Sequence, residues 1–245
     1  KKIMEITNEQ KQVMISGILG DGSLHKTGAM SFNCIHKEYM ELKKEFLGDL
    51  CIADVRESMN MGYKKAPIYS ISCRVSDFGK DLLNYTHKDL VNELDELGLA
   101  LWMFDDGSRH KKNNFYNINT HAIDRHIEDK VLIPFFNKLN IFPKILTETK
   151  KDGRVFSYLY ISKWDGAMEL SRIMRKINLS CYDYKLMPIE LEESYFLLKD
   201  EDSFKNSTSY QKTNIIKKGL GISSNSFLHK NIQSIEMAYT NDTLI

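Results

Sequence analysis

MISGILGDG at 14–22 and LALWMFDDG at 99–107 are the two stretches on which the reading of this chain turns. Each is an apolar run that stops in an acid followed by glycine, the pattern of a buried helix running into an Asp-Gly turn. Either segment alone is as readily a structural turn as a site. Two features favour a functional pair. Ser16, Gly17 and Gly20 remove bulk from the first helix at three- and four-residue spacing. Glycine inside a helix costs about 1 kcal/mol relative to alanine, so close approach of a second backbone is a reason to keep it. Asp21 and Asp106 each stand at a helix C-terminus, facing the negative end of the macrodipole, which is unfavourable unless a cation is present. Two such ends side by side repel until a divalent metal binds, and hard carboxylate oxygens suit Mg²⁺.

Outward from these segments, the order of elements repeats. Thr7 to Gln10 has capping-box spacing, so a helix is expected from there to Leu19. Strands follow at Ser23–Lys26 and Ala29–Ile35 around Thr27-Gly28. A helix follows over His36–Leu50, with Tyr39, Leu42, Phe46, Leu47 and Leu50 inward, then strands at Ile52–Ser58 and Ile68–Val75. Ser76–Tyr85 reads as a further helix with Phe78, Leu82 and Leu83 inward. The second round has a helix at Asp95–Phe104, a hairpin of Ser108–Lys111 with Phe115–His121, and a helix at Asp124–Asn140. Strands at Pro143–Thr149 and Val155–Ser162 around Lys151-Asp152-Gly153 follow, then a helix at Trp164–Ile177. This αββαββα order occurs twice, offset by about 85 residues from Asp21 to Asp106. The expectation is an α+β fold of two tandem repeats, 7–88 and 89–188, with paired central helices, two antiparallel sheets and pseudo-twofold symmetry. Residues 189–245 form an extension to which no role is assigned.

Composition sets wide bounds. The chain of 245 residues holds one large domain or two smaller ones. No stretch reaches the ~20 apolar residues of a membrane helix, and the N-terminus has no signal-type apolar core. Cys34, Cys51, Cys73 and Cys181 make no CxxC pair and have no zinc-like spacing with histidine, so free thiols in a reducing compartment are expected. An intracellular location follows, in the cytoplasm or nucleoid of a bacterium or phage-infected cell, or in an organelle matrix. A net charge of +1 is a weak sign of a nucleic-acid partner. The charge is unevenly spread, however: acids crowd Glu190–Asp202, while bases cluster at Arg109-His110-Lys111-Lys112, Lys64-Lys65 and Lys150-Lys151.

With the two motifs, their spacing and the flanking elements in view, the chain resembles the LAGLIDADG homing endonucleases, in their single-chain, two-repeat form. LALWMFDDGS resembles a second-motif signature of one branch, and Asn117-Ile118-Asn119-Thr120 and Tyr184-Lys185-Leu186 resemble two later elements of that branch. The resemblance spans roughly 8–188. It departs at Ser16 and Leu101, where glycine is usual, and at Asp105, where a small residue is common. It implies a monomer making Mg²⁺-dependent double-strand breaks, with Mn²⁺ able to substitute, in a long DNA target across the minor groove to leave short 3′ overhangs. Asp21 and Asp106 match the catalytic aspartates, and Gly20 and Asp105 are candidate neighbours in the metal site. Ser16, Gly17 and Gly20 match the helix interface. An assisting lysine near each site is implied: Lys185 for the second half and Lys88, with His87 next, for the first.

DNA reading would fall to the sheets, since a β-ribbon fits the major groove and alternate residues share a face. Ser70, Ser72 and Arg74 share one face, and Asn117 and Asn119 another. His25, Lys26, Arg109, His110, Lys111, Lys144 and Arg154 are further candidates for base or phosphate contact. Each of these, like Lys88 and to a lesser degree Lys185, can also be a plain solvated side chain. The leading expectation is an endonuclease encoded by a mobile intron. The alternatives are an RNA maturase with intron RNA as partner, a regulator on the same fold that binds DNA without cutting it, and an unrelated two-domain protein with accidental Asp-Gly turns. An intein is disfavoured because no splicing blocks surround this core.

Overall fold

The computed structural model describes residues 6–59, 66–110, 115–162, 164–207 and 209–220. Lys64, Lys65, Lys111 and Lys112 lie outside the described residues. The chain separates into two compact units, 1–106 with 177–183, and 107–176 with 184–245. The division does not follow the repeats, because the helix of the second motif packs within the first unit.

In the first unit, helix α1 (Asn8–Leu19) starts at the Thr7 capping box, in which Thr7 Oγ1 accepts from the Gln10 amide and the Gln10 side chain accepts from the Thr7 amide. Strands β1 (Ser23–Leu24) and β2 (Met30–Cys34) meet across Gly28, whose φ of 85° is a left-handed turn position that glycine adopts without strain. Helix α2 (Lys37–Leu47) continues as a 3₁₀ turn to Leu50. Strands β3 (Arg56–Met59) and β4 (Pro67–Cys73) complete an antiparallel sheet of order β1-β2-β4-β3. Three helices follow: α3 (Asp77–Leu82), α4 (His87–Glu93), which begins at a second capping box on Thr86 and Asp89, and α5 (Glu96–Asp106). Helix α4 crosses the predicted boundary at 88. Leu83 is exposed rather than inward, since α3 ends at Leu82.

The second unit opens with β5 (Gly107–His110) directly after α5, paired with β6 (Phe115–Asn119). The predicted helix over 124–140 is broken into α6 (Arg125–Ile127), a π-helical turn over Glu128–Leu132, and α7 (Ile133–Lys138). Strands β7 (Lys144–Thr149) and β8 (Val155–Ile161) give a sheet of order β5-β6-β8-β7, the order of the first sheet repeated. Helix α8 (Trp164–Arg175) buries Met168, Ile173 and Met174 as its periodicity predicts. The extension forms α9 (Ile189–Leu198), α10 (Asp202–Lys205) and α11 (Ser209–Leu220). All four cysteines are free, and burial pushes the Cys73 thiol up to about 12. Among the described residues no helix is long and apolar enough to cross a membrane.

Residues 177–183 return from the second repeat to dock on α2. The Glu38 carboxylate accepts from the Ser180 hydroxyl at 2.9 Å, the Ser180 amide at 3.1 Å and the Cys181 amide at 3.0 Å. Beside it, Tyr182 stacks on Phe104 and meets Tyr39 edge-on. The Ser180 hydroxyl, then the two amides, hold the Glu38 carboxyl below its ordinary value of 4.5. A lowered folded-state value means the stabilisation is complete above the unfolded value and is lost as pH falls through the folded one. Glu38→Ala is therefore expected to lower stability at neutral pH, with the gap from the parent chain closing as pH drops below about 4. Urea unfolding across pH checks this, and a gap independent of pH would contradict it.

Candidate functional site

Helices α1 and α5 lie side by side in the same direction. Near their starts, a Cβ on Gly98 of α5 would collide with the Gln12 side chain of α1. Gln12 is itself buried, its amide group donating to the Glu93 carbonyl at 2.9 Å and accepting from the Asp95 amide at 3.1 Å. Near their ends, a Cβ on Gly20 would stand 2.7 Å from Cβ of Asp105. Glycine at both points is what lets the backbones approach. Gly20 meets α5 at Asp105, Ser16 is fully buried with its hydroxyl donating to the Val13 carbonyl of its own helix, and Gly17 does not face α5: a Cβ there would strike Phe32 and Met30 of β2. The small residue that sequence reading missed is Gly98. The parallel packing brings both C-terminal ends to one place. Asp21 follows the Gly20 cap of α1, and Asp106 is the last residue of α5. The last turns of the two helices carry no basic residue.

The cation at these ends comes instead from α2. Lys43 Nζ donates to both carboxylate oxygens of Asp105 at 2.9 Å, with the side chains only 1% and 3% exposed. The ammonium also lies over the Tyr39 ring, 4.4 Å from its centroid. Tyr39 donates to the Leu101 carbonyl at 3.0 Å, and its own ionisation is pushed well up by burial and then by Asp105. Two expectations are corrected here. Asp105 is occupied on both oxygens by an ammonium, which withdraws it from the metal-ligand set. The lysine brought to the helix ends is Lys43, not Lys88, which is exposed in the first turn of α4. Helix α4 meets α1 through Glu93, at Lys11 and Gln12, the opposite end of α1 from Gly20. The inward stripe of α2 is Tyr39, Met40, Lys43 and Leu47, one position round from the predicted face, with Leu42 and Phe46 only half-buried.

Each sheet buries one face and turns the other outward. On the first, Met30, Phe32, Ile71 and Cys73 are buried. Ser70 and Ser72 point the other way and pair across the sheet with Asn33 and Ser31, and Ser70 also pairs with Arg56. His25 shares this side through Nε2 and Ser31 Oγ at 3.1 Å. Lys26 is exposed in the turn and Arg74 just beyond β4. On the second sheet, Tyr116, Ile118, Leu159 and Ile161 are buried, so Asn117 and Asn119 face out, and the register sets Ser108, Asn117, Tyr160 and Lys144 in one row. His110 is also outward, stacked on Phe115 at 4.7 Å. Arg154 is exposed in the turn, paired with Asp152 and 5.5 Å from the Phe156 ring centroid. Arg109 is not outward. Strand alternation puts it on the buried side with Tyr116, where its guanidinium donates to the Leu186 carbonyl and burial lowers its pKa. Lys111 falls outside the described residues.

A family model described as LAGLIDADG DNA endonuclease family matches residues 11–167, well over half the chain. The chain belongs to the LAGLIDADG DNA endonuclease family. Among solved structures it is similar to the homing endonuclease I-WcaI bound to its DNA recognition sequence, with 22% identity, 75% of this chain and 88% of that one covered, and a TM-score of 0.56. It is also similar to full-length DUF199/WhiA from Thermatoga maritima (12% identity, 98% and 94% covered, TM-score 0.47). A third is I-DmoI in complex with DNA and Mn (9% identity, 69% and 97% covered, TM-score 0.43). No curated protein matches.

The Tyr184-Lys185-Leu186 element of this LAGLIDADG chain is held through its backbone. Tyr116 donates from its hydroxyl to the Lys185 carbonyl at 2.7 Å, and Arg109 takes the Leu186 carbonyl. The Met187 amide donates to Ser171 Oγ at 2.9 Å, and the Met187 carbonyl accepts from Arg175. Glu192 of α9 orients both clamps, accepting from Ser171 Oγ at 2.7 Å and Arg175 Nε at 3.1 Å. Lys185 itself is buried.

Removing one member of a buried ion pair leaves the other uncompensated, at about 3–5 kcal/mol, whereas replacing both is far milder. Lys43→Met is expected to destabilise the fold by that order, and Lys43→Met with Asp105→Leu to recover most of the loss in urea unfolding. Equal losses for the single and double variants would show that the pair is not coupled.

Proposed function

We propose that this chain is a site-specific DNA endonuclease that cuts both strands with the help of a divalent metal, most simply Mg²⁺, and acts as a single chain on double-stranded DNA. The carrying observation is the parallel pair of helices α1 and α5, each ending in an acid and glycine, Asp21-Gly22 and Asp106-Gly107. A chain that only bound nucleic acid would have no need of carboxylates at the unfavourable ends of two helix dipoles.

Among the described residues no cluster of three or more His, Cys, Asp or Glu could hold a metal by itself. The donor set still fits magnesium, which is commonly bound by one or two carboxylates and completed by water and substrate phosphate oxygens. Asp21 and Asp106 are those carboxylates in this reading, with the Gly20 carbonyl as a candidate third hard oxygen. When bound, the metal supplies charge neutralisation at the phosphate and an acidified water. Lys43 neutralises Asp105 and so keeps a third negative charge from adding to the repulsion at the helix ends. Lys185, fixed by its clamped backbone, is the candidate assisting lysine of the second half. The outward faces of the two sheets carry the DNA contacts. Encoding by a mobile intron is the origin this reading favours.

Asp21→Asn and Asp106→Asn are each expected to abolish double-strand cleavage while changing DNA affinity less than about threefold, and chelation should stop the parent enzyme, with Mn²⁺ restoring it. Cutting a randomised DNA library and sequencing the ends provides the assay; full cleavage by either variant, or with chelator present, would overturn the mechanism. Binding without cleavage by the parent chain would instead favour the DNA-binding regulator. Lys185→Met is expected to slow cleavage at saturating enzyme by about 10²-fold or more with affinity little changed. An unchanged single-turnover rate would remove it from the site.

A further inference from the structure

The two outward sheet faces differ in chemistry although their topology is the same. The first presents Ser31, Asn33, Ser58, Ser70, Ser72 and Arg56, with Ile68 as the one apolar residue of these paired rows. On the second, alternate residues of β8 are aromatic: Phe156, Tyr158 and Tyr160. Phe115 of β6 widens this surface, its ring 4.7 Å from that of Tyr160, and Leu146 lies beside Tyr158 across the ladder, 37% exposed. Within the same face, Asn117 is flanked by Ser108 and Tyr160, and its Oδ1 is buried with no hydrogen-bond partner among the described residues. An unmet buried acceptor costs about 1–3 kcal/mol, so turning the half-exposed Asn117 amide outward onto a donor is favoured.

We propose that the second sheet reads A·T base pairs in the major groove, with Asn117 on an adenine edge and the β8 rings on thymine 5-methyl groups; this rests on the DNA-binding reading above. An Asn amide matches adenine N6–H and N7, since its oxygen accepts the amino hydrogen and its NH₂ donates to N7. Thymine alone presents a methyl in that groove, and an apolar ring is its complement. Spacing agrees as well. Alternate residues of a strand stand about 6.8 Å apart, twice the ~3.4 Å step between successive bases of one strand. The three rings therefore meet methyls about two base pairs apart. The first sheet, with hydroxyl, amide and guanidinium groups and a single aliphatic chain at Ile68, lacks this row of rings, so the two halves of the target are read by different forces.

The test uses the full chain and DNA with altered bases. Target sequences are selected from a random duplex library in EDTA, and the selection is repeated with Asn117→Ala. Positions whose preference relaxes mark the half-site under the second sheet, where A·T enrichment is expected. Each thymine in the selected site is then replaced singly by deoxyuridine, which deletes only the methyl, and the marked adenine by 7-deaza-adenine. In the marked half, deoxyuridine should weaken binding about fourfold per contacted methyl, at positions two apart, and 7-deaza-adenine by about tenfold. In the other half, deoxyuridine should change binding less than twofold at every position but the one nearest Ile68. A selected site indifferent to deoxyuridine throughout, or without A·T enrichment in the marked half, overturns the inference and leaves DNA binding standing. Failure to select any sequence overturns both.

Discussion

The close parallel approach of α1 and α5 is the constraint on which the first unit and its candidate chemistry depend. Glycine is required at two separated points of contact, Gly98 against Gln12 and Gly20 against Asp105. With contacts near both ends, the helices cannot splay at either end without losing the contact there. The Gln12 side chain bridges the start of α5 and the end of α4, which fixes the entry of α5. The consequence lies at the exits: an acid leaves each helix at the same end, and a strand begins at once, β1 at Ser23 and β5 at Gly107. In each repeat the proposed cutting residue thus precedes the first strand of the proposed reading surface by only one or two residues along the chain.

The Lys43–Asp105 pair follows from the same approach. Gly20 and Asp105 occupy matching positions of the two motifs, one residue before the aspartate that precedes glycine. With a carboxylate on one helix, its counterpart can carry no side chain, and Gly20 has none. The carboxylate so enclosed must be paired, and α2 supplies the partner under the Tyr39 and Phe32 rings. Buried ion pairs often only break even against apolar replacements. The account that suits the geometry is therefore positional: the pair ties α2, and through Tyr39 the Leu101 carbonyl, to the C-terminal end of α5.

Much of this fold was legible in the sequence because it is written in short-range chemistry. The Thr7 capping box, the turns at Gly28 and Gly153, the alternation of the strands and the doubled element order all carry local signals, and the sheets share one strand order as the repeat implied. What escaped depended on which way a side chain turns. In α2, a face read from its most apolar residues left out Lys43, because a lysine inside a buried stripe can be explained only by an acid 62 residues away. The basic run at 109–112 looked like one patch along the chain, yet on a strand neighbours face opposite ways, so Arg109 goes inward and His110 outward. Gly98 lacked a motif to draw notice, and its role appears only when Gln12 is placed against it.

The C-terminal extension shows the same limit from the other side. Acids crowd its start, yet Glu192 is buried and orders two side chains of α8, Ser171 and Arg175, which in turn hold the Met187 backbone. Buried backbone groups outside regular structure must find partners, and the stretch from Lys185 to Met187 finds four in succession, from β5, β6 and α8. Arg109 is one of these, so a residue that composition offers to DNA is spent instead on the chain's own carbonyl. Since Glu192 is the common acceptor for two of the clamps, helix α9 belongs to the framework that holds Lys185. The extension is therefore bound up with the candidate lysine rather than appended to a finished domain.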